Sequence, residues 1–204
     1  MRILIPCKDL DRGKSRLAPQ LDPAARRALC ESFLARTLAL ATTIASATAV
    51  HLVTGDPAAV AIAAHHGVRS LPDDGADLNA ALAQARVRLL AELSHPSDVL
   101  ILPIDLPDAT PDALADLLAS SATVAIAPDR ERQGTNVLRL RATALADFPF
   151  AFGAGSFARH CAAAESMKLT LQVVADPRLA FDIDQPSHYD DWLRRTRQPQ
   201  RVPL

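Results

Sequence analysis

Residues 98–107 read DVLILPIDLP, and no other run in the chain predicts a strand as strongly. An apolar run of this length with polar flanks is typical of a strand buried on both faces of a parallel sheet. The run ends in Asp105, and ligands of such sheets gather at the carboxyl ends of the strands. Asp105 is therefore a candidate to meet a cation in a cleft. A turn aspartate before Leu106 and Pro107 explains this segment equally well.

Strands and helices alternate along the rest of the chain. Apolar runs predict further strands at residues 3–6, 49–54, 68–71, 123–129, 135–140 and 169–174. Helical spacing or helix start signals predict helices from Asp22-Pro23 to Ile44, up to His66, after residue 77, over 111–119, over 155–165 and after Pro186. This alternation predicts a three-layer α/β/α fold with a mostly parallel central sheet. We expect one domain spanning residues 1–204, with a flexible tail from about residue 196.

Composition excludes several classes of protein. With 49% hydrophobic and 22% charged residues, the chain is typical of a globular protein. A net charge of -1 disfavours a nucleic acid or an anionic membrane as partner. No apolar run has the length of a signal peptide core or a membrane span, so we expect a cytoplasmic protein. The three cysteines lack CxxC spacing, which predicts neither a disulfide framework nor a cysteine zinc site.

Two aspartates are paired near the end of the chain, in FDIDQP at residues 181–186. In an extended segment, residues two apart point to the same side, so Asp182 and Asp184 would share one face. Together with Asp105 they supply three carboxylates, which is the oxygen chemistry that Mg²⁺ requires. The alternative is a pair of loop aspartates that caps the last helix.

Positive charge is concentrated directly after the first strand, in KDLDRGKSRL at residues 8–17. This stretch holds Lys8, Arg12, Lys14 and Arg16, and it includes two of the three lysines of the chain. Loops in this position of an α/β fold commonly bind phosphates. The spacing fits neither a P-loop nor a GxGxxG dinucleotide fingerprint. A solvated basic loop is the alternative.

A glycine turn precedes the helix at residues 155–165, in FGAGSFARH. Gly153 and Gly155 allow unusual backbone angles, and Ser156 would lie at a helix N-terminus whose N–H groups favour an anion. His160 lies within reach of this turn and is a weaker candidate. Two anion sites around a metal would suit a reaction that joins two phosphorylated molecules.

Five ordered blocks resemble the guanylyltransferases of the CofC and FbiD type, which act in biosynthesis of the deazaflavin coenzyme F420. The blocks are IPCKDLDRGKSRL, ILPIDLP, APDRERQGTNVLRL, FGAGSFARH and FDIDQP, and they run over nearly the whole chain. The resemblance implies a nucleotidyltransferase fold related to sugar-nucleotide and molybdenum-cofactor nucleotidyltransferases. It also implies GTP and Mg²⁺, and a small phosphorylated acid as acceptor: 2-phospho-L-lactate, phosphoenolpyruvate or 3-phospho-D-glycerate.

The resemblance also assigns roles to individual residues. Asp105, Asp182 and Asp184 would hold Mg²⁺, and with Lys14 they would form the catalytic group. The acceptor would be bound by Thr135, Gly153 and Ser156. The GTP contacts would come from Lys8, Arg12, Lys14, Arg16 and Asn79. Asp77 stands where the family has glycine, which leaves the nucleotide contact at that turn open.

The reaction so implied is attack of the acceptor's phosphate on the α-phosphorus of GTP, with release of pyrophosphate. A related transferase that uses a sugar phosphate or a molybdopterin is an alternative. A nucleotide-binding regulator without catalysis is another. The sequence does not choose among the three acids, and it leaves the oligomeric state open, a homodimer included.

Overall fold

The computed structural model describes residues 1–92 and 94–197. The strands are β1 (Arg2–Pro6), β2 (Val50–Thr54), β3 (Arg69–Pro72), β4 (Val99–Ile101), β5 (Val124–Pro128), β6 (Thr135–Leu140) and β7 (Leu171–Val173). The α-helices are α1 (Pro23–Ile44), α2 (Pro57–His65), α3 (Leu78–Glu92), α4 (Pro111–Ala119), α5 (Ala142–Leu145), α6 (Ser156–Ser166) and α7 (Pro186–Arg197). Within the described ranges, no helix is long and apolar enough to cross a membrane.

All these strands belong to one sheet, in the order β3-β2-β1-β4-β6-β5-β7. The β6 strand is antiparallel to β4 and β5, and the remaining neighbours pair in parallel. The predicted α/β class with a mostly parallel sheet is confirmed. Because β6 runs in reverse, its first residue, Thr135, lies at the edge where the parallel strands end.

Helices cover both faces of the sheet. Along β1, Ile3 and Ile5 pack into a core with α1, α2 and α4. The intervening Leu4 packs into a second core with α3, α5 and α6. Successive residues of a strand point to opposite faces, so a run of apolar residues fills both cores. This is the three-layer arrangement that the alternating pattern predicts.

Local signals fix most of the helix starts. The Asp22 carboxylate accepts a hydrogen bond from the Ala25 N–H at 2.7 Å, and Pro23 takes the first turn of α1. The β4 strand is shorter than predicted, because Pro103 has no N–H with which to continue the sheet. The α5 helix was not predicted, since four residues are too short to show helical periodicity.

The last helix is longer than expected. It continues to Arg197, so it includes the first residues of the tail predicted from about residue 196. The rest of the predicted tail, residues 198–204, lies outside the described residues.

The α7 helix fixes the FDID segment against the body of the protein. Phe181 and Ile183 are buried with Phe33, and α7 adds Trp192 to the same cluster. The guanidinium groups of Arg130 and Arg195 lie over the Phe181 ring, at 4.1 and 3.8 Å from its centroid. Such contacts are strongest where they are desolvated. They hold the residue next to Asp182 in one place.

The α6 helix carries the most deeply buried histidine of the described chain. His160 has no exposed surface, and its ring lies 6.0 Å from that of Phe148 and 5.0 Å from that of Phe152. Burial, and next the positive charge of Arg159, lower the pKa of His160 from 6.5 to about 4.

This burial predicts how stability depends on pH. Between pH 6.5 and 4 the unfolded chain binds a proton at His160 that the folded protein does not, so the contribution of neutral His160 is lost as the pH falls. The free energy of unfolding of wild type, minus that of a His160→Gln variant, should drop by about 2 kcal/mol between pH 7.5 and 4.5. Urea unfolding at both pH values measures it. Subtracting the value for the variant cancels the contributions of other titrating groups to the free energy of unfolding. A wild-type minus variant difference that does not change with pH would contradict a buried neutral His160.

Candidate active site

Seven of the predicted site residues line one cavity at the carboxyl ends of β1 and β4. Its volume is about 410 Å³, and Pro6 and Ile101, at the ends of these strands, form part of its wall. The predicted site residues that line it are Arg16, Asp105, Thr135, Gly153, Ser156, Asp182 and Asp184. Segments far apart in sequence therefore meet where an α/β sheet places its ligands.

Lys14 joins two of the three predicted metal ligands. Its ammonium nitrogen lies 2.7 Å from Asp105 Oδ2 and 2.9 Å from Asp184 Oδ1, and 9% of its side chain is exposed. Burial alone would lower the pKa of Lys14, but the two carboxylates outweigh it and raise the pKa. Burial would likewise raise the pKa of Asp184, and Lys14 lowers it instead. The Lys14 ammonium and the Asp184 carboxylate are thus held in their charged forms.

The loop that carries Lys14 is closely packed and strained. Lys14 has φ of 51°, in the left-handed region that residues with a side chain seldom adopt. A Cβ on the preceding Gly13 would lie 2.5 Å from Cys30 Sγ, so only glycine lets the loop approach α1 this closely. Strained residues persist where the surrounding structure holds them, often at functional sites.

Asp182 and Asp184 share one side, as predicted for paired aspartates. Phe181 and Ile183 between and beside them are buried, whereas both aspartates line the cavity. Burial, followed by the negative charges of Asp105 and Asp184, raises the pKa of Asp182 to about 6. A further cation would therefore stabilise the ionised form of Asp182.

The three carboxylates do not form a ready metal shell. Their oxygens are the ligand type that Mg²⁺ prefers. Within residues 1–92 and 94–197, however, no three acidic, histidine or cysteine side chains are grouped closely enough to hold an ion. The Lys14 ammonium takes the position of a cation between Asp105 and Asp184. Ligation by all three aspartates requires Lys14 to release some of these contacts.

The glycine turn also lines the cavity, through Gly153 and Ser156. Gly153 and Gly155 have φ of 110° and 71°, so the turn needs glycine at both positions. The N–H groups of Ser156 and Phe157 donate to backbone oxygens of Gly153 and Gln133. The expectation that free N–H groups at this helix start bind an anion is therefore wrong for these two. The side chains of Thr135 and Ser156 remain available.

Two predicted residues have structural roles at the edge of the site. The amide of Asn79 donates to Phe152 O at 3.1 Å and accepts from Phe152 N–H at 2.7 Å, so it ties α3 to the glycine turn. Asp77 caps α3 by accepting hydrogen bonds from the N–H groups of Asn79 and Ala80. Asp77, at the position where the resemblance implies glycine, lines neither this cavity nor the one at the ends of β2 and β3.

A second cavity contains the other two predicted GTP residues. Lys8 and Arg12 line a space of about 530 Å³ at the ends of β2 and β3. The basic loop is thus divided: its first half faces this second cavity, and its second half, with Arg16, faces the first.

Asp129 is a site residue that the sequence analysis missed. Its carboxylate accepts hydrogen bonds from the N–H groups of Gln133 and Gly134, at 2.8 and 2.7 Å, and shapes the turn that delivers Thr135. A Cβ on Gly134 would lie 2.7 Å from Asp129 Oδ2. The sequence did contain a signal for this turn, namely an aspartate directly after a strand and a glycine five residues later.

Comparison with known proteins gives consistent results for sequence and fold. The family model described as "Guanylyl transferase CofC like" matches residues 1–193. The chain is 38% identical over 188 residues to a phosphoenolpyruvate guanylyltransferase of Chloroflexus aggregans, covering 89% of this chain and 91% of that one. It is 38% identical over 190 residues to one of Sphaerobacter thermophilus, covering 92% and 90%.

Solved structures share the fold at low identity. A protein described as a nucleotide-diphospho-sugar transferase from Desulfovibrio desulfuricans G20 has a TM-score of 0.75 at 18% identity, covering 98% of this chain and 90% of that one. A 4-diphosphocytidyl-2C-methyl-D-erythritol synthase has a TM-score of 0.63 at 15% identity, covering 95% and 96%. These likenesses confirm the nucleotidyltransferase fold, and the family match over residues 1–193 shows that the chain belongs to the CofC-like guanylyltransferases.

Proposed function

We propose that the protein transfers GMP from GTP to a small phosphorylated three-carbon acid and releases pyrophosphate, as a step in biosynthesis of coenzyme F420. One observation carries the proposal: Thr135 and Ser156 line the same cavity as Asp105, Asp182 and Asp184. Among the three acids, phosphoenolpyruvate is the acceptor that we propose first, because relatives 38% identical are named for it.

The two cavities suggest where each substrate binds. The acid would lie against Thr135, Gly153 and Ser156, and its phosphate would point toward the aspartates. The nucleoside part of GTP would occupy the second cavity with Lys8 and Arg12, and its triphosphate would reach past Lys14 and Arg16. The α-phosphorus would then lie between the two cavities, next to the acid.

The chemistry requires little from the protein beyond position and charge. A phosphate oxygen of the acid attacks the α-phosphorus in line, and the bond from this phosphorus to the oxygen bridging to the β-phosphorus breaks. The attacking oxygen is already anionic, so no general base is needed. Holding both anions in line lowers the entropic cost. The charges of Lys14 and Arg16 stabilise the departing pyrophosphate.

Magnesium belongs to this proposal as the cation that Asp105, Asp182 and Asp184 would hold. When bound, it would neutralise phosphate charge beside the reacting atoms. The raised pKa of Asp182 supports a cation beside this carboxylate, and the Lys14 ammonium already contacts Asp105 and Asp184. The part of Lys14 is to neutralise Asp105 and Asp184 until substrate phosphates compete for it.

The direct test is pyrophosphate release by the purified protein with GTP and magnesium. Phosphoenolpyruvate, 2-phospho-L-lactate and 3-phospho-D-glycerate are assayed in parallel, with ATP and CTP replacing GTP as controls. We expect release with GTP and one acid, and phosphoenolpyruvate should be the best of the three. Release with a sugar phosphate but with no acid would contradict the acceptor class. No release under any condition, from folded protein, would contradict the reaction.

Asp184→Asn is the variant that tests the carboxylate cluster. It removes the charge at one end of the Lys14 bridge and keeps the size of the side chain, so the fold should survive through the contact with Asp105. We expect kcat/KM to fall by roughly a hundredfold or more.

The control is Asp147→Asn, which removes one negative charge from an exposed position. Both variants should keep the thermal midpoint of wild type within a few degrees. Near-normal turnover by Asp184→Asn would contradict a role for this cluster in the reaction.

A further inference from the structure

His160 belongs to a series of hydrogen bonds that runs from the backbone of Ala151 to Thr135 and Ser156 in the cavity. The Ala151 N–H donates to Nε2 of His160 at 3.0 Å, and Nδ1 lies 2.9 Å from Thr135 Oγ1. The Thr135 N–H in turn donates to Ser156 Oγ at 2.8 Å. His160 itself does not line the cavity, whereas Thr135 and Ser156 do.

The backbone decides which nitrogen of the ring carries the proton. An amide N–H can only donate, so Nε2 must accept and cannot hold a hydrogen. Burial lowers the pKa of His160 to about 4, so the ring is neutral near pH 7 and its one proton is on Nδ1. Nδ1 therefore donates to Thr135 Oγ1.

This donation fixes the direction of the Thr135 hydroxyl. Because Thr135 Oγ1 accepts the hydrogen bond from the ring, the hydroxyl proton of Thr135 is not donated to the ring. Among residues 1–92 and 94–197, Oγ1 has no other hydrogen-bond partner. The Ser156 hydroxyl likewise keeps its proton free, because its Oγ accepts a hydrogen bond from Thr135 N–H. Two hydroxyl protons are thus left for a ligand in the cavity.

We infer that His160 is a positioning residue that makes the Thr135 hydroxyl a donor toward the bound acid, so that this wall selects a carboxylate or phosphate oxygen. The inference rests on the proposed function, since it names how that site selects an anionic acceptor. With the proton on Nε2 instead, Thr135 would donate to the ring and present only lone pairs to the cavity. Lone pairs would repel an anion.

Two variants of His160 each keep one of its two hydrogen bonds and remove the other. Asparagine places its amide nitrogen where Nδ1 lies and can still donate to Thr135. Glutamine places its amide oxygen where Nε2 lies, so it keeps the acceptor for Ala151 N–H and loses the donor. Both leave one buried polar group without its partner, so both should lower the thermal midpoint.

Steady-state kinetics with GTP and the acid then distinguish positioning from stability. His160→Gln should raise KM for the acid about tenfold, and His160→Asn should stay within about threefold of wild type. KM for GTP should change in neither. In a Thr135→Val background, His160→Gln should add no further loss, because the hydroxyl is already gone. Equal effects of the two variants on KM for the acid, or effects that follow the thermal midpoint, would overturn the inference.

A second measurement does not depend on activity. Nitrogen-15 NMR of the imidazoles reports which ring nitrogen is protonated, and the His160 signal is identified among the six histidines by its loss in His160→Asn. We expect the neutral ring protonated at Nδ1. A ring protonated at Nε2 would overturn the inference whatever the enzyme does, whereas wild type without activity would contradict only the proposed function.

Discussion

The site depends on the ammonium of Lys14 between Asp105 and Asp184. Three carboxylates in one cleft repel each other, and an isolated buried ammonium is costly as well. Together they are stable, because Lys14 lies within 3 Å of an oxygen of both partners. The contact also joins three distant segments, namely the loop after β1, the end of β4 and the segment before α7. Removing Lys14 would leave Asp105 and Asp184 without their shared counter-charge at the junction of all three.

The remaining architecture keeps these segments in place. Gly13 lets the Lys14 loop pack on α1, and the two guanidinium groups over Phe181 hold the FDID segment. On the acid side, Asp129 shapes the turn before Thr135, and Asn79 ties down the glycine turn through Phe152. The charged wall and the hydroxyl wall are thus supported by separate sets of contacts. Separate support suits a nucleotidyltransferase, because it must bind two anionic substrates in fixed positions next to each other.

Much of the fold was accessible from local sequence. Asp22 with Pro23, the buried strands and the 111–119 helix follow from capping and periodicity, which act over a few residues. The position of Asp105 at the cavity follows from the rule that ligands gather at the carboxyl ends of parallel strands. The resemblance, rather than this rule, placed Asp182, Asp184 and the glycine turn at the same site. The contacts of Lys14 were not predicted, because a salt bridge across 91 or 170 residues leaves no local pattern.

Other site details were missed for the same reason. The hydrogen bonds of the Asn79 amide to the backbone of Phe152, 73 residues away, were not predicted, and a nucleotide contact of Asn79 stays a prediction. The tautomer of His160 depends on Ala151 N–H, which only the folded turn places there. Sequence thus predicts which polar residues lie near the ends of the parallel strands, and tertiary hydrogen bonds decide which of them line the cavity.

The central claim is that the cluster brings an acid's phosphate against the α-phosphorus of GTP. The most direct measurement follows a GTP label at the α-phosphorus through one turnover with excess enzyme and the preferred acid. We expect all of the label in a product that also contains the carbons of the acid, with its phosphorus joined through a diphosphate bridge. Label recovered as free GMP would mean that water is the acceptor, and label in GDP would mean attack at the γ-phosphorus. Either result would contradict the account.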